Sequence, residues 1–101
     1  MKVIWAQTAL TELRNIYDHY LENVSYQMAE NIRVSVLESA RQIGINPMSG
    51  ISETRFSEGL FVYRSVVRGH YKIIYRIEND VVNIVDVFDT RQHPSKLSRN
   101  F

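Results

Sequence analysis

The stretch YKIIYRIENDVVNIVDVF, residues 71–88, decides the fold. In its first half apolar and polar side chains alternate, which is typical of a β-strand with one buried face. Asn79-Asp80 in the middle is typical of a two-residue hairpin turn, because both residue types tolerate a positive φ. The stretch therefore predicts an antiparallel hairpin with the pairs Ile77 and Val82, Tyr75 and Ile84, Ile73 and Asp86, and Tyr71 and Phe88.

This register puts one carboxylate, Asp86, on the face that the apolar side chains predict to be buried. An isolated buried carboxylate is costly, so Asp86 needs a cationic partner. Gly69 predicts another turn, which makes residues 60–68 a further antiparallel strand. A two-residue loop around Gly69 places Arg64 on the same face as Asp86. We therefore predict a structural pair, Arg64 with Asp86, across the sheet.

The amino-terminal half predicts one short strand and one helix. Residues 2–6 (KVIWA) are β-branched and aromatic, which favours a strand. Thr8 is a suitable N-cap for a helix of about twelve to fourteen residues, because its hydroxyl can accept a hydrogen bond from an amide of the first turn. Spacings of three and four then put apolar side chains on one helical face: Leu10, Leu13, Ile16, Tyr17, Tyr20 and Leu21.

A second, longer helix follows at once. We predict that it starts at Asn23 or Ser25 and ends at Gly44 and Asn46-Pro47. Two helices with so short a link form an antiparallel hairpin. Residues 44–59 are rich in glycine and serine and predict a loop, with one short strand near residues 54–57.

The predicted fold class is α+β, in the order β-α-α-β-β-β, with a two-helix hairpin packed on one face of an antiparallel sheet. The chain has 101 residues, of which 45% are hydrophobic. This length supports one hydrophobic core, so we expect a single domain over residues 1–101.

The composition of the chain argues against several classes of function. There is no cysteine, and His19, His70 and His93 are not at ligand spacing, so we expect no metal and no cofactor. The sequence shows neither a signal peptide nor a run of about 20 apolar residues, which predicts a cytoplasmic protein with no membrane partner. The formal net charge is only +1, but the part from residue 61 onward is the basic one.

Four local patterns occur in order along the chain. They are Trp5-Ala6 with Ala9 and Leu13, Asn46-Pro47 with Gly50, Arg64 followed by GHYKIIYRI at residues 69–77, and residues 85–88 leading into DTRQHP at residues 89–94. Together they resemble the RelE/ParE superfamily of toxins from bacterial type II toxin-antitoxin systems, and the resemblance is closer to the ParE-like branch.

The resemblance implies a growth-inhibiting toxin of the kind associated with plasmid stabilization, neutralised by a cognate antitoxin. It implies contact with DNA only through the antitoxin complex. ParE-like members inhibit DNA gyrase, whereas RelE-like members are ribosome-dependent, metal-independent endoribonucleases that cut messenger RNA. The partner is therefore DNA gyrase or, in the alternative, the ribosome and mRNA. A member that has lost toxicity and only binds is the third possibility.

The two toxin hypotheses use the residues after the last strand differently. A nuclease needs a proton-transfer group and cationic donors to phosphate, roles for which His93, Arg64 and Arg91 are the candidates. Pro94 and the lack of a Lys-x-Lys cluster near Arg64 argue against this chemistry. Both residues also have a purely structural interpretation. In it, Arg64 is the partner of Asp86 and His93 is a polar residue of a turn.

In the ParE-like hypothesis no residue is catalytic. Arg91-Gln92-His93-Pro94 matches the Arg-Gln-x-Pro turn by which ParE-like chains often leave the last strand. The candidate target-binding residues are Arg91, Gln92, His93, Lys72 and Arg76. The simpler interpretation is that Lys72 and Arg76 lie on a solvated face of the sheet.

Overall fold

A computed structural model of the chain describes residues 1–53 and 61–91. The elements are β1 (Lys2–Trp5), α1 (Gln7–Asn23), α2 (Tyr26–Ile45), β2 (Ile51–Ser52), β3 (Tyr63–Arg68), β4 (Tyr71–Glu78) and β5 (Val81–Asp89). The strands form one sheet in the order β1-β5-β4-β3-β2. The predicted α+β class is confirmed. The strand predicted near residues 54–57 lies outside the described residues.

The sheet is mixed, which corrects the prediction of a wholly antiparallel one. Strands β2 to β5 pair antiparallel, but β1 runs parallel to β5, with Val3 opposite Val82 and Trp5 opposite Ile84. Strand β1 covers the edge of β5 that the meander of β3, β4 and β5 leaves unpaired, and the two helices then carry the chain across the sheet to β2 at the opposite edge.

Helix α1 begins earlier than predicted. Ala6 is its N-cap and makes no side-chain capping bond, so the Thr8 cap is wrong. The reason is tertiary: the Ala6 amide still donates to the Ile84 carbonyl at 2.8 Å, as the last bond of the β1 ladder, and the helix starts at the next residue. Helix α2 begins at Tyr26 after its N-cap Ser25, the second of the two predicted starts, and the Ser25 hydroxyl accepts from the Met28 amide at 3.0 Å.

Both helices cover the same face of the sheet, as predicted. Small side chains let them approach closely, since Ala9 of α1 and Ala40 of α2 are almost completely buried. Larger apolar side chains complete this core, and they are Leu13, Val36, Ile43, Tyr71, Ile73, Tyr75, Val82, Ile84 and Val87. Burial of this apolar surface is the main stabilising term of the fold.

The hairpin of β4 and β5 is confirmed in part. Asn79 and Asp80 have φ of 53° and 59°, as a two-residue turn of this type requires. The predicted pairs of Ile77 with Val82 and of Tyr75 with Ile84 are confirmed. Beyond them the register shifts by one residue.

A β-bulge at Val85 causes this shift. Asp86 lies opposite Ile74 and Val87 lies opposite Ile73, so the predicted pairs of Ile73 with Asp86 and of Tyr71 with Phe88 are wrong. The bulge turns Val87 toward the helices, where it joins the core. Asp86 consequently moves to the opposite face, and the sequence pattern alone did not show the extra residue.

The predicted Arg64–Asp86 pair is therefore wrong. Arg64 lies opposite Tyr75 on the helix-facing side, whereas Asp86 lies opposite Ile74 on the other side. The Arg64 guanidinium donates to the Gly50 carbonyl at 2.8 Å. Asp86 is 1% exposed, and one of its oxygens accepts from the Val87 amide at 2.8 Å.

The face of the sheet away from the helices carries a second apolar cluster. It consists of Tyr63, Ile74, Val85 and Phe88, with Phe61 packed against it. Lys72 and Arg76 alternate with Ile74 along β4 and share this face. In the described part of the chain, no helix is both long and apolar enough to cross a bilayer.

Candidate functional site

Arg91 lies just beyond the end of β5, where the sheet meets α1. Asp89, the last residue of the strand, is opposite Tyr71. The next residue, Thr90, bonds twice to the His70 carbonyl, through its amide at 2.7 Å and through its hydroxyl at 3.0 Å. These two bonds fix the direction in which the chain leaves the sheet, and thus the position of Arg91.

The Arg91 guanidinium is held by a carboxylate and a phenol. Its Nε donates to Asp89 Oδ1 at 2.9 Å, and its Nη2 donates to Asp89 Oδ2 at 2.5 Å. The same Nη2 donates to the Tyr20 hydroxyl at 3.3 Å. The Arg91 side chain nevertheless remains 53% exposed. It is a fixed cation that a partner molecule can reach.

Tyr20 and Tyr71 connect this cation to the body of the protein. The Tyr71 hydroxyl donates to the Tyr20 hydroxyl at 3.1 Å, so the Tyr20 oxygen accepts from both Tyr71 and Arg91. These two hydrogen bonds lower the pKa of Tyr20, and the bond from Tyr71 contributes more than the bond from Arg91. Burial raises the pKa of Tyr71, and donation to Tyr20 raises it further. In this pair, Tyr20 is the acidic phenol.

The charges of the site also stabilise one another. The hydrogen bonds from the Arg91 side chain lower the pKa of Asp89, and those to Asp89 raise the pKa of Arg91. A hollow of about 300 Å³ opens between this cluster and α1, with Glu12, Asn15 and His19 on its helical side. Such a hollow, with hydrogen-bonding groups of both signs, suits the side chains of a partner protein.

Lys72 and Arg76, the other described candidates for target binding, are held on the helix-free face. Lys72 Nζ lies 2.5 Å from Glu53 Oε1, and the Ser65 hydroxyl donates to the same oxygen at 2.6 Å. The Lys72 side chain is 22% exposed. Its charge is neutralised by an internal partner.

Arg76 is also engaged within the protein. Its guanidinium carbon lies 4.0 Å from the centre of the Phe61 ring, and its nitrogens reach Tyr63 and Glu78, each at 3.3 Å. Its Nε is buried without a hydrogen-bond partner in the described part of the chain. Arg91 is thus the most accessible of the three described candidates.

The groups proposed for a nuclease are not brought together in the described residues. Arg91 adjoins Tyr71, whereas Arg64 is opposite Tyr75, four residues farther along β4. That separation alone is about 13 Å along the strand. His93 and Gln92 lie outside the described residues. Within those residues, no group of His, Asp or Glu side chains could hold a metal ion.

The sequence did not reveal the Tyr20–Tyr71 pair. Both tyrosines occur at apolar positions of their elements, and periodicity alone assigns such residues to the core. A usable signal is their place in the chain, since Tyr20 is near the end of α1 and Tyr71 is the first residue of β4. Tyrosines at the ends of elements can bury the ring and leave the hydroxyl at the edge.

Comparison with known proteins identifies a matching family and a solved structure with a similar fold. The family model described as "ParE toxin of type II toxin-antitoxin system, parDE" matches residues 3–94. A solved structure described as "Chromosomal ParDE TA system from P. aeruginosa" contains a chain with a similar fold, at a TM-score of 0.72 and 19% identity. The match covers 88% of this chain and 95% of that one. No curated protein matches the sequence.

Proposed function

This chain belongs to the ParE toxin family of type II toxin-antitoxin systems, and from this membership we propose that it inhibits bacterial growth by acting on DNA gyrase. The observation that carries the proposal is the family match over residues 3–94, which runs from the second residue of β1 through all the other elements to beyond Arg91. The site of action would be the cytoplasm, where gyrase meets the chromosome.

The mechanism that we propose is binding rather than chemistry. Arg91 offers a half-exposed guanidinium at the edge of the sheet, and its geometry is fixed by Asp89 and Tyr20. An arginine held in one orientation loses little conformational entropy when a carboxylate of a partner binds it. Gln92 and His93 are further candidates for contact with the target. Lys72 and Arg76 would take part only where the target replaces their internal partners, Glu53 and Glu78.

A cognate antitoxin is the second partner that we propose. The solved structure with a similar fold is of a ParDE toxin-antitoxin system, which supports this assignment. The antitoxin would neutralise the toxin by covering its surface, and any contact with DNA would be made by the antitoxin in the complex.

Two measurements test the proposed target. Purified chain added to DNA gyrase and relaxed plasmid is expected to reduce supercoiling and to leave cleaved DNA bound to the enzyme. Brief induction in growing bacteria is expected to start a DNA-damage response while messenger RNA stays intact. Rapid cleavage of messenger RNA at sites linked to particular codons would contradict the proposal and favour a RelE-like endoribonuclease. Unaltered growth would show that the chain has no toxicity.

A further inference from the structure

Four residues around the Arg91 guanidinium form a closed ring of contacts. Tyr71 lies opposite Asp89 in the pairing of β4 with β5. Asp89 accepts from the Arg91 guanidinium, Arg91 donates to the Tyr20 hydroxyl, and that hydroxyl accepts from Tyr71. Because the ring is closed, no member can leave its place without breaking two of these contacts.

The two partners of Arg91 restrain it in different ways. Asp89 is only two residues away along the chain, so its bonds fix the arginine relative to the end of its own strand. Tyr20 is 71 residues away, on α1. It is the only described residue of another element that hydrogen-bonds to the Arg91 side chain. Tyr20 therefore fixes the guanidinium relative to the body of the protein.

Tyr71 gives this restraint a buried foundation. It is the first residue of β4 and is 7% exposed, whereas Tyr20 is only partly buried. Its hydroxyl donates to the Tyr20 oxygen at 3.1 Å. Burial raises the pKa of Tyr71, so its hydroxyl keeps the proton that it donates. A core side chain thus holds the oxygen to which Arg91 binds.

The ring leaves one nitrogen of the guanidinium for a partner. Nε and Nη2 of Arg91 donate to Asp89 and Tyr20, whereas Nη1 makes no hydrogen bond to a described residue. Nη1 of an arginine carries two hydrogens. Since the side chain is 53% exposed, an oxygen acceptor of another molecule can reach them. The ring sets the direction in which they point.

We propose that Tyr20, supported by Tyr71, is a positioning residue for the contact of Arg91 with the target, an inference that rests on the proposed function. The Tyr20 hydroxyl acts through Arg91 and does not itself touch gyrase. It holds the guanidinium so that Nη1 meets an acceptor oxygen of the target in a fixed orientation. An unrestrained arginine would first have to be ordered, which weakens binding by about three to ten times.

Removal of one hydroxyl is the first test. Tyr20→Phe keeps the ring but removes the oxygen that accepts from Arg91. Half-inhibition of gyrase supercoiling should then need about three to ten times more of the full chain. Tyr17→Phe is the matched control, because Tyr17 is on the same helix and its hydroxyl interacts with Glu30 of α2. The control should stay within about twofold of the wild type. Unchanged or stronger inhibition by a folded Tyr20→Phe variant would overturn the proposal.

A double-mutant cycle distinguishes positioning from a direct contact of Tyr20 with the target. In an Arg91→Met background, Tyr20→Phe has no guanidinium to release. It should therefore change inhibition by less than about twofold in that background. The same loss in both backgrounds would show that Tyr20 acts without Arg91, and this result would overturn the proposal.

Nuclear magnetic resonance of the ¹⁵N-labelled chain without gyrase separates this inference from the proposed function. Rotation about the bond from Cζ to Nη2 of Arg91 should be several-fold faster in Tyr20→Phe than in the wild type or in Tyr17→Phe. If the wild-type chain leaves gyrase unaffected, the proposed function fails, but this measurement still decides whether Tyr20 holds Arg91. Equal rotation in Tyr20→Phe and in the wild type would overturn the positioning role even if the chain inhibits gyrase.

Discussion

The hydroxyl of Tyr71 on β4 donates a hydrogen bond to the hydroxyl of Tyr20 on α1 at 3.1 Å. This bond joins the helix hairpin to the sheet at the end from which Arg91 extends. The Tyr20 oxygen also accepts from Arg91, and both tyrosines line the hollow beside that arginine. This pair of phenols thus contributes to the proposed binding surface around Arg91.

The first prediction concerns the ionisation of this pair. The hydrogen bonds from Tyr71 and Arg91 lower the pKa of Tyr20, so Tyr20 should ionise at lower pH than an ordinary tyrosine. An absorbance titration of phenolate in the folded protein should show an early component, which Tyr20→Phe removes. Tyr26→Phe, at an exposed position, is the control. If the early component were unchanged in Tyr20→Phe, the low-pKa phenol could not be Tyr20.

The second prediction concerns acid stability. Arg91 lowers the pKa of Asp89 in the folded state, so the ionised carboxylate stabilises the fold above its unfolded pKa, near 4. This contribution is lost as the pH falls through the folded pKa. Arg91→Met should flatten the fall in the free energy of unfolding below about pH 4. At pH 7 the loss should be small, because the arginine is half exposed and water screens the pair.

Denaturant unfolding at several pH values measures this effect. Arg14→Met is a suitable control, because it removes a guanidinium from an exposed position of α1. A slope below pH 4 that is the same in Arg91→Met and in the wild type would show that Asp89 does not depend on Arg91.

The third prediction concerns the loop after α2. The Tyr75 hydroxyl accepts from the Gly50 amide at 2.9 Å and donates to the Pro47 carbonyl at 2.7 Å, and Tyr75 is fully buried. Tyr75→Phe leaves both backbone groups without this partner and should lower the free energy of unfolding by about 2 kcal/mol. Tyr26→Phe should change it by less than about 0.5 kcal/mol. A similar loss in the two variants, measured by urea unfolding, would refute the role of this hydroxyl.

The fourth prediction compares two glycines. A Cβ at Gly50 would lie 2.5 Å from the Tyr75 hydroxyl and 2.9 Å from the Ser65 carbonyl, so Gly50→Ala requires the backbone or the buried ring to move. At Gly69 there is space for a Cβ, but φ is +59°, which costs roughly 1 kcal/mol for alanine. Gly50→Ala should therefore destabilise the protein more than Gly69→Ala, by about 1 kcal/mol or more in thermal or urea unfolding. The reverse order would show that the loop adapts.

Local patterns in the sequence predicted most of the elements but only part of their arrangement. The turn at Asn79-Asp80 and the cap at Ser25 depend on the conformations of a few adjacent residues, and both are confirmed. Thr8 failed as a cap because the start of α1 is set by the ladder between β1 and β5, which is a long-range contact. Pairing of distant strands leaves no signal in a short window of sequence.

The error at Asp86 has the same origin. Register was extrapolated from the turn, and a single extra residue at Val85 reverses the face of every later side chain in β5. Prediction of the candidate site from the sequence was limited in the same way. Arg91 was predicted from its place after the last strand, whereas its support by Tyr20 requires the end of α1 to meet the end of β5, which only the assembled fold provides.

The last prediction tests Arg91 as a contact to the target. Because Asp89 and Tyr20 hold the guanidinium in a half-exposed position, reversal of its charge should remove the positive contact from this edge of the sheet. Arg91→Glu should reduce inhibition of gyrase supercoiling by about tenfold or more, as loss of an anchoring arginine does at protein interfaces. Arg14→Glu carries the same change of charge at an exposed position of α1 and should retain full inhibition. Circular dichroism and unfolding of both variants would confirm that they fold, and undiminished inhibition by a folded Arg91→Glu variant would remove Arg91 from the proposed contact surface.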